Sequence, residues 1–196
     1  MSLDEEYDTV SGMLETLNKD VFRCLKELQA AEKSGTTEDR YFWRRVVTRA
    51  VFSAIEGSCE LFRRQAFVAQ LNKVAKERFV HLKKLSVLSG KTFWVTDEGE
   101  IRIQDLRVPF LNYLLLSLKS YAEAQGVSYR TKKGNGWPRI RSAVRVRNRI
   151  THPKNLAGLA ISKEEIADIV FSFEWFWNEV ESIFCEKGVE IPPLAL

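Results

Sequence analysis

The segment Arg147-Asn148-Arg149-Ile150-Thr151-His152 sets a guanidinium, a carboxamide and an imidazole close together, directly ahead of Pro153. An imidazole titrates near neutral pH and can take up or release a proton, and a guanidinium holds oxyanions in a fixed fork of donors. The chemistry those groups suit is proton transfer on an anionic substrate. The chain has 2 histidines. The other, His81, lies between Arg78 and Lys83 and reads as a solvated residue on a helix.

The surrounding charge points the same way. Net charge is +4, yet no acidic residue occurs between Glu123 and Glu164. That window holds Arg130, Lys132, Lys133, Arg139, Arg141, Arg145, Arg147, Arg149, Lys154 and Lys163. A local excess of this kind predicts an anionic partner at one part of the surface. Tyr129 and Trp137 in the same window offer rings on which unpaired bases can stack.

Other function classes find no support. There is no G-x-x-x-x-G-K-[ST] or G-x-G-x-x-G loop to cradle a nucleotide phosphate. Cys24, Cys59 and Cys185 are odd in number, far apart and outside any C-x-x-C pair, which predicts neither disulfides nor a zinc knuckle and implies a reducing, cytoplasmic setting. No metal and no cofactor are expected. Asp4, Glu5, Glu6 and Asp8 are the wrong chemistry for a signal peptide, and no apolar run is long enough to span a bilayer.

With 45% hydrophobic and 29% charged residues, the composition is that of a globular protein. Apolar positions from Tyr7 through Val10, Leu14, Leu17, Val21, Leu25 and Leu28 recur at helical steps, and Ser34-Gly35 ends that helix. A second helix starts near Thr37 to Asp39 and runs well beyond Leu71, with Val47, Val51, Ile55, Ser58 and Phe62 inward and Gly57 as a close-packing point. After Ser89-Gly90, two short strands at Thr92–Val95 and Ile101–Ile103 flank the turn Asp97-Glu98-Gly99-Glu100. Pro109 opens a third helix and Pro138 a fourth, which stops at His152-Pro153 because proline disfavours helical geometry before it. Ser162 and Glu165 form a capping box for a last helix running to Lys187-Gly188, apolar over more of its girth than one packing face needs. The expectation is an all-α, up-and-down bundle of about five helices with a small inserted β-hairpin: one domain over 1–188 and a short tail over 189–196.

Arg147 and His152 are five residues apart, which on a continuous helix turns them about 140° away from one another, whereas Asn148 and His152 share a face. They meet at one substrate if the helix end re-aims the histidine, if the arginine wraps round, or if a second subunit supplies its copy.

The run Arg147 to His152 resembles the R-x4-H signature of HEPN domains, in which a polar residue such as Asn often follows the arginine. The resemblance extends over roughly Trp137 to Phe184, with Pro153-Lys154 and the capped last helix. It implies a helical bundle that dimerises with two motif copies facing one another across a basic cleft, and, in active members, metal-independent RNA cleavage. On that reading His152 acts on the 2'-hydroxyl or the leaving oxygen, Arg147 holds the scissile phosphate and Asn148 orients the site. Arg145, Arg149, Lys154, Arg141, Arg139, Lys132 and Lys133 would hold RNA. Glu56 stands as a supporting acid, against the commoner reading of a surface acid near Glu60, Arg63 and Arg64. Toxin–antitoxin or phage-defence work would follow, with an antitoxin or defence partner. The alternatives are an inactive module that binds RNA, a nucleotide or a partner protein, and a purely structural scaffold.

Overall fold

The computed structural model describes residues 3–76, 82–131, 134 and 136–185. Among the described residues the regular structure is helical apart from one hairpin: α1 Leu3–Ser34, α2 Thr37–Lys76, α3 Leu82–Ser89, β1 Lys91–Val95, β2 Ile101–Asp105, α4 Phe110–Ala124, α5 Trp137–Thr151, a 3-10 turn at Leu156–Leu159, and α6 Lys163–Cys185. His81, Lys132, Lys133 and the tail from 186 onward lie outside the described residues. The second helix starts at Thr37 and passes Leu71 as expected, and residues 77–81, between it and α3, lie outside the described residues.

Two compact units make up the chain, residues 1–58 with 132–196, and residues 59–131, and the boundary falls inside α2. The first unit is built on the stripes read from the sequence. Val21 and Leu28 of α1, Val47, Val51 and Ile55 of α2, Ile140, Val146 and Ile150 of α5, and Ile169, Phe173 and Phe176 of α6 are all buried. A Cβ on Gly57 would come within 2.9 Å of Leu17 Cδ1, so the glycine lets α1 and α2 approach closely. Arg44 is a buried cation that composition did not flag. It pairs with Glu32 at 2.6 Å and donates to the Ile161 carbonyl at 2.8 Å, tying α1 and α2 to the segment ahead of α6.

Two helix starts, those of α2 and α6, carry reciprocal caps. Thr36 Oγ1 accepts from Asp39 N at 3.1 Å while the Asp39 carboxylate accepts from Thr36 N at 2.9 Å. Ser162 and Glu165 repeat this ahead of α6, at 3.2 and 3.0 Å. Pro109 and Pro138 stand at the starts of α4 and α5, where a missing N–H costs nothing.

The second unit packs Phe62 and Ala66 of α2, Leu88 of α3, and Leu114, Leu118 and Tyr121 of α4, with the Phe62 and Tyr121 rings stacked at 4.5 Å. Its hairpin is antiparallel, with Lys91 opposite Asp105, Phe93 opposite Ile103 and Val95 opposite Ile101. The turn closes through Thr96 N to the Glu100 carbonyl at 2.9 Å, with Gly99 at φ 80°, a conformation that favours glycine.

Candidate functional site

All of the motif lies on α5 and its C-terminal end. The buried stripe Ile140, Ala143, Val144, Val146 and Ile150 fixes how that helix rolls, and therefore which residues it presents. Arg141, Arg145, Asn148 and His152 follow at steps of four, three and four, so they fall on one face, and all four are exposed. The four-residue step from Asn148 to His152, legible in the sequence, is the end of this stripe, and Arg141 and Arg145 extend it.

Arg147 borders the buried stripe, between Ala143 and Ile150, and turns towards α2. Its guanidinium forms an ion pair with Glu56 and donates to Asn148 Oδ1 at 3.1 Å. The pair is partly solvated, with Arg147 and Glu56 side chains 27% and 39% exposed. Glu56 thus engages the motif arginine, while Glu60, one turn on, takes Arg63 and Arg64.

His152 caps α5. Its backbone leaves helical geometry at φ −127° and ψ 65°, as a residue before proline should, while its N–H still bonds the Asn148 carbonyl at 3.0 Å. Its imidazole is exposed and makes no hydrogen bond to a described residue. The helix end therefore presents a ring open to solvent, one helical turn on from Asn148, whose carboxamide accepts from Arg147.

The remaining basic residues divide. Arg141, Arg145 and Lys154 are exposed and have no carboxylate partner among the described residues. Arg149 is committed elsewhere: it forks onto both Glu165 oxygens at 2.8 and 2.9 Å and donates to the Gly158 and Ala160 carbonyls at 3.1 and 2.6 Å. It fastens the 3-10 turn to the start of α6, and its hydrogen bond is the main reason the Glu165 carboxyl lies below the usual carboxylate range. Arg139 bonds Asp168 at 2.7 Å and lies 4.1 Å over the Phe171 ring. Trp137 packs against Trp175, centroids 5.6 Å apart, so its ring belongs to the contact of α5 with α6.

Hollows of about 430 Å³ beside Arg149 and Asn155, 650 Å³ at the base of the hairpin, and 840 Å³ between α1 and α6 take in none of Arg147, Asn148 or His152. Among the described residues no cluster of three or more His, Cys, Asp or Glu is disposed to hold a metal ion, and no helix is long and apolar enough to cross a membrane. No protein-family model, curated protein or solved structure matches the chain.

Proposed function

We propose that this chain is a metal-independent endoribonuclease of the HEPN type, working in a toxin–antitoxin or antiviral-defence setting. The observation that carries the reading is the solvent-open His152 ring at a proline-terminated helix end, on the same face as Asn148, whose carboxamide is bonded by Arg147. In the proposed reaction His152 takes the proton from the RNA 2'-hydroxyl as that oxygen bonds to phosphorus. The bond from phosphorus to the 5'-oxygen breaks, and the departing oxygen is protonated by a second group or by solvent. Arg147 offsets charge building on the phosphoryl oxygens, and Asn148 holds its guanidinium in place. The products are a 2',3'-cyclic phosphate and a 5'-hydroxyl. Arg141, Arg145 and Lys154 track the phosphate backbone, and a second copy of the motif lies across the cleft.

The test is incubation of the full chain with mixed RNA in EDTA, with chemical identification of the ends. Cyclic-phosphate ends that vanish in His152→Ala and Arg147→Ala support the reading. Intact RNA, or cutting that survives His152→Ala, overturns it.

One observation favours a second reading, in which the same face binds RNA without cutting it. The Glu56 carboxylate already occupies Arg147, compensating the charge that would act on a phosphate. That reading predicts salt-sensitive binding to Arg141 and Arg145 with no cleavage at any RNA concentration.

A further inference from the structure

The hairpin carries an apolar face that no described residue covers. Alternation along β1 and β2 puts Phe93, Val95, Ile101 and Ile103 on one side, as the cross-strand pairs Phe93–Ile103 and Val95–Ile101. They are 52%, 66%, 72% and 60% exposed. Four large apolar side chains in one patch mark a contact surface.

Its two ends carry opposite charge. At the tip, Asp97, Glu98 and Glu100 are exposed, and Asp97 and Glu98 have no cationic partner among the described residues. At the base, Lys91 and Asp105 lie on the apolar side and border the 650 Å³ hollow, which Arg63, Arg64 and Arg107 also line. Those four cations face two acids, Glu60 and Asp105, and Arg107, whose charge, behind the Lys91 hydrogen bond, helps to lower the Asp105 carboxyl, is exposed and forms no ion pair with a described carboxylate.

We infer that this face binds a second copy of the chain, hairpin on hairpin and antiparallel, with the acidic tip of each copy seated in the basic hollow at the base of the other. A two-fold axis across the strands, midway between the Phe93–Ile103 and Val95–Ile101 rows, lays each row on the other row of the partner. The same operation carries position 97 onto 91 and position 98 onto 90, which is the mouth of the hollow. An axis along the strands would set acid against acid, and edge-to-edge pairing would leave the apolar face in water. An anionic membrane or RNA is disfavoured by the acidic tip. The inference does not rest on the nuclease reading, since none of these residues belongs to α5.

Sedimentation equilibrium of the full chain tests it. The native protein should self-associate through this face, and Phe93→Glu with Ile103→Glu, both at exposed positions, should halve the mass of the assembly and weaken association more than about 100-fold. Circular dichroism checks that the fold is kept. Asp97→Lys/Glu98→Lys and Arg107→Glu should each weaken self-association, and mixing these two variants should give a heterodimer tighter than either homodimer. A monomeric native protein, an unchanged mass in Phe93→Glu/Ile103→Glu, or no gain on mixing would overturn the inference. So would a native monomer that co-sediments with phosphatidylcholine–phosphatidylserine vesicles, which would assign the face to lipid.

Discussion

Arg147 on α5 is held by the Glu56 carboxylate on α2, although 91 residues separate them in the chain. A fork that would serve a phosphate is thus kept in one orientation by a carboxylate and by its neighbour Asn148. Both side chains are partly solvated, so the pair contributes no more than about 1 kcal/mol to stability. Its larger consequence is for the position and charge of the guanidinium.

Glu56→Gln separates those two effects. Removing a negative charge beside the basic stripe should tighten RNA binding, while a less ordered Arg147 should lower the single-turnover cleavage rate by roughly tenfold. The unfolding free energy should change by less than about 1 kcal/mol. Filter binding and quenched-flow cleavage together check this, and unchanged values of both would make Glu56 a bystander.

Arg141 and Arg145 should act through phosphate contact alone. Each neutral replacement, Arg141→Gln or Arg145→Gln, should reduce the slope of log affinity against log salt by about 0.7 on single-stranded RNA. His152→Ala should leave the slope unchanged. A salt titration by fluorescence anisotropy reads both, and a slope indifferent to the two arginines would remove this face from the RNA path.

Arg149, in contrast, should matter to stability. Arg149→Ala strips a bidentate partner from Glu165 and two carbonyl contacts from the turn, at a cost of about 1–2 kcal/mol once partial exposure is allowed for. Because Arg149 keeps the Glu165 carboxyl low, the pair stabilises the fold above the ordinary carboxylate pKa and is lost as pH falls through the lower folded value. Urea unfolding of Arg149→Ala should therefore show a smaller loss of stability on acidification than the native chain.

How far the sequence carried the fold depends on the kind of signal. Apolar residues at helical steps, Ser162 with Glu165, and proline after His152 are local patterns whose physics acts within one or two turns, and they mark α1, α4, α5 and α6, as the turn Asp97-Glu98-Gly99-Glu100 marks the hairpin. Charge gave no such guidance on partners. Arg139, Arg145 and Arg149 look alike in a basic run, yet Asp168 and Glu165 on α6 take two of them and leave the third in water. Likewise Glu56 and Glu60 sit one turn apart on α2, and only the direction each side chain points distinguishes the partner of Arg147 from that of Arg63. The alternation of Phe93, Val95, Ile101 and Ile103 predicted strands correctly, but not that their apolar side would face solvent.

Glu60 offers a prediction wholly within the second unit. Burial pushes its carboxyl up, but hydrogen bonds from Arg63 at 2.5 Å, from the Tyr113 hydroxyl at 2.5 Å and from Arg64 at 2.8 Å outweigh burial and bring the pKa from 4.5 down to about 2. The same arrangement pushes the Tyr113 hydroxyl up, first through burial and then through its bond to Glu60. A carboxyl depressed in the folded state adds stability that is fully present above its unfolded pKa and disappears as pH falls through the folded one. The native chain should accordingly lose stability from about pH 4.5 down to about pH 2, and Glu60→Gln should be less stable at neutral pH yet flatter over that range. Tyr113→Phe removes one of the bonds, costs about 1 kcal/mol at neutral pH, and should move the acid transition upward because Glu60 is then easier to protonate. Urea midpoints across an acid pH series distinguish these outcomes. A native profile parallel to that of Glu60→Gln would mean that the network does not hold this carboxylate.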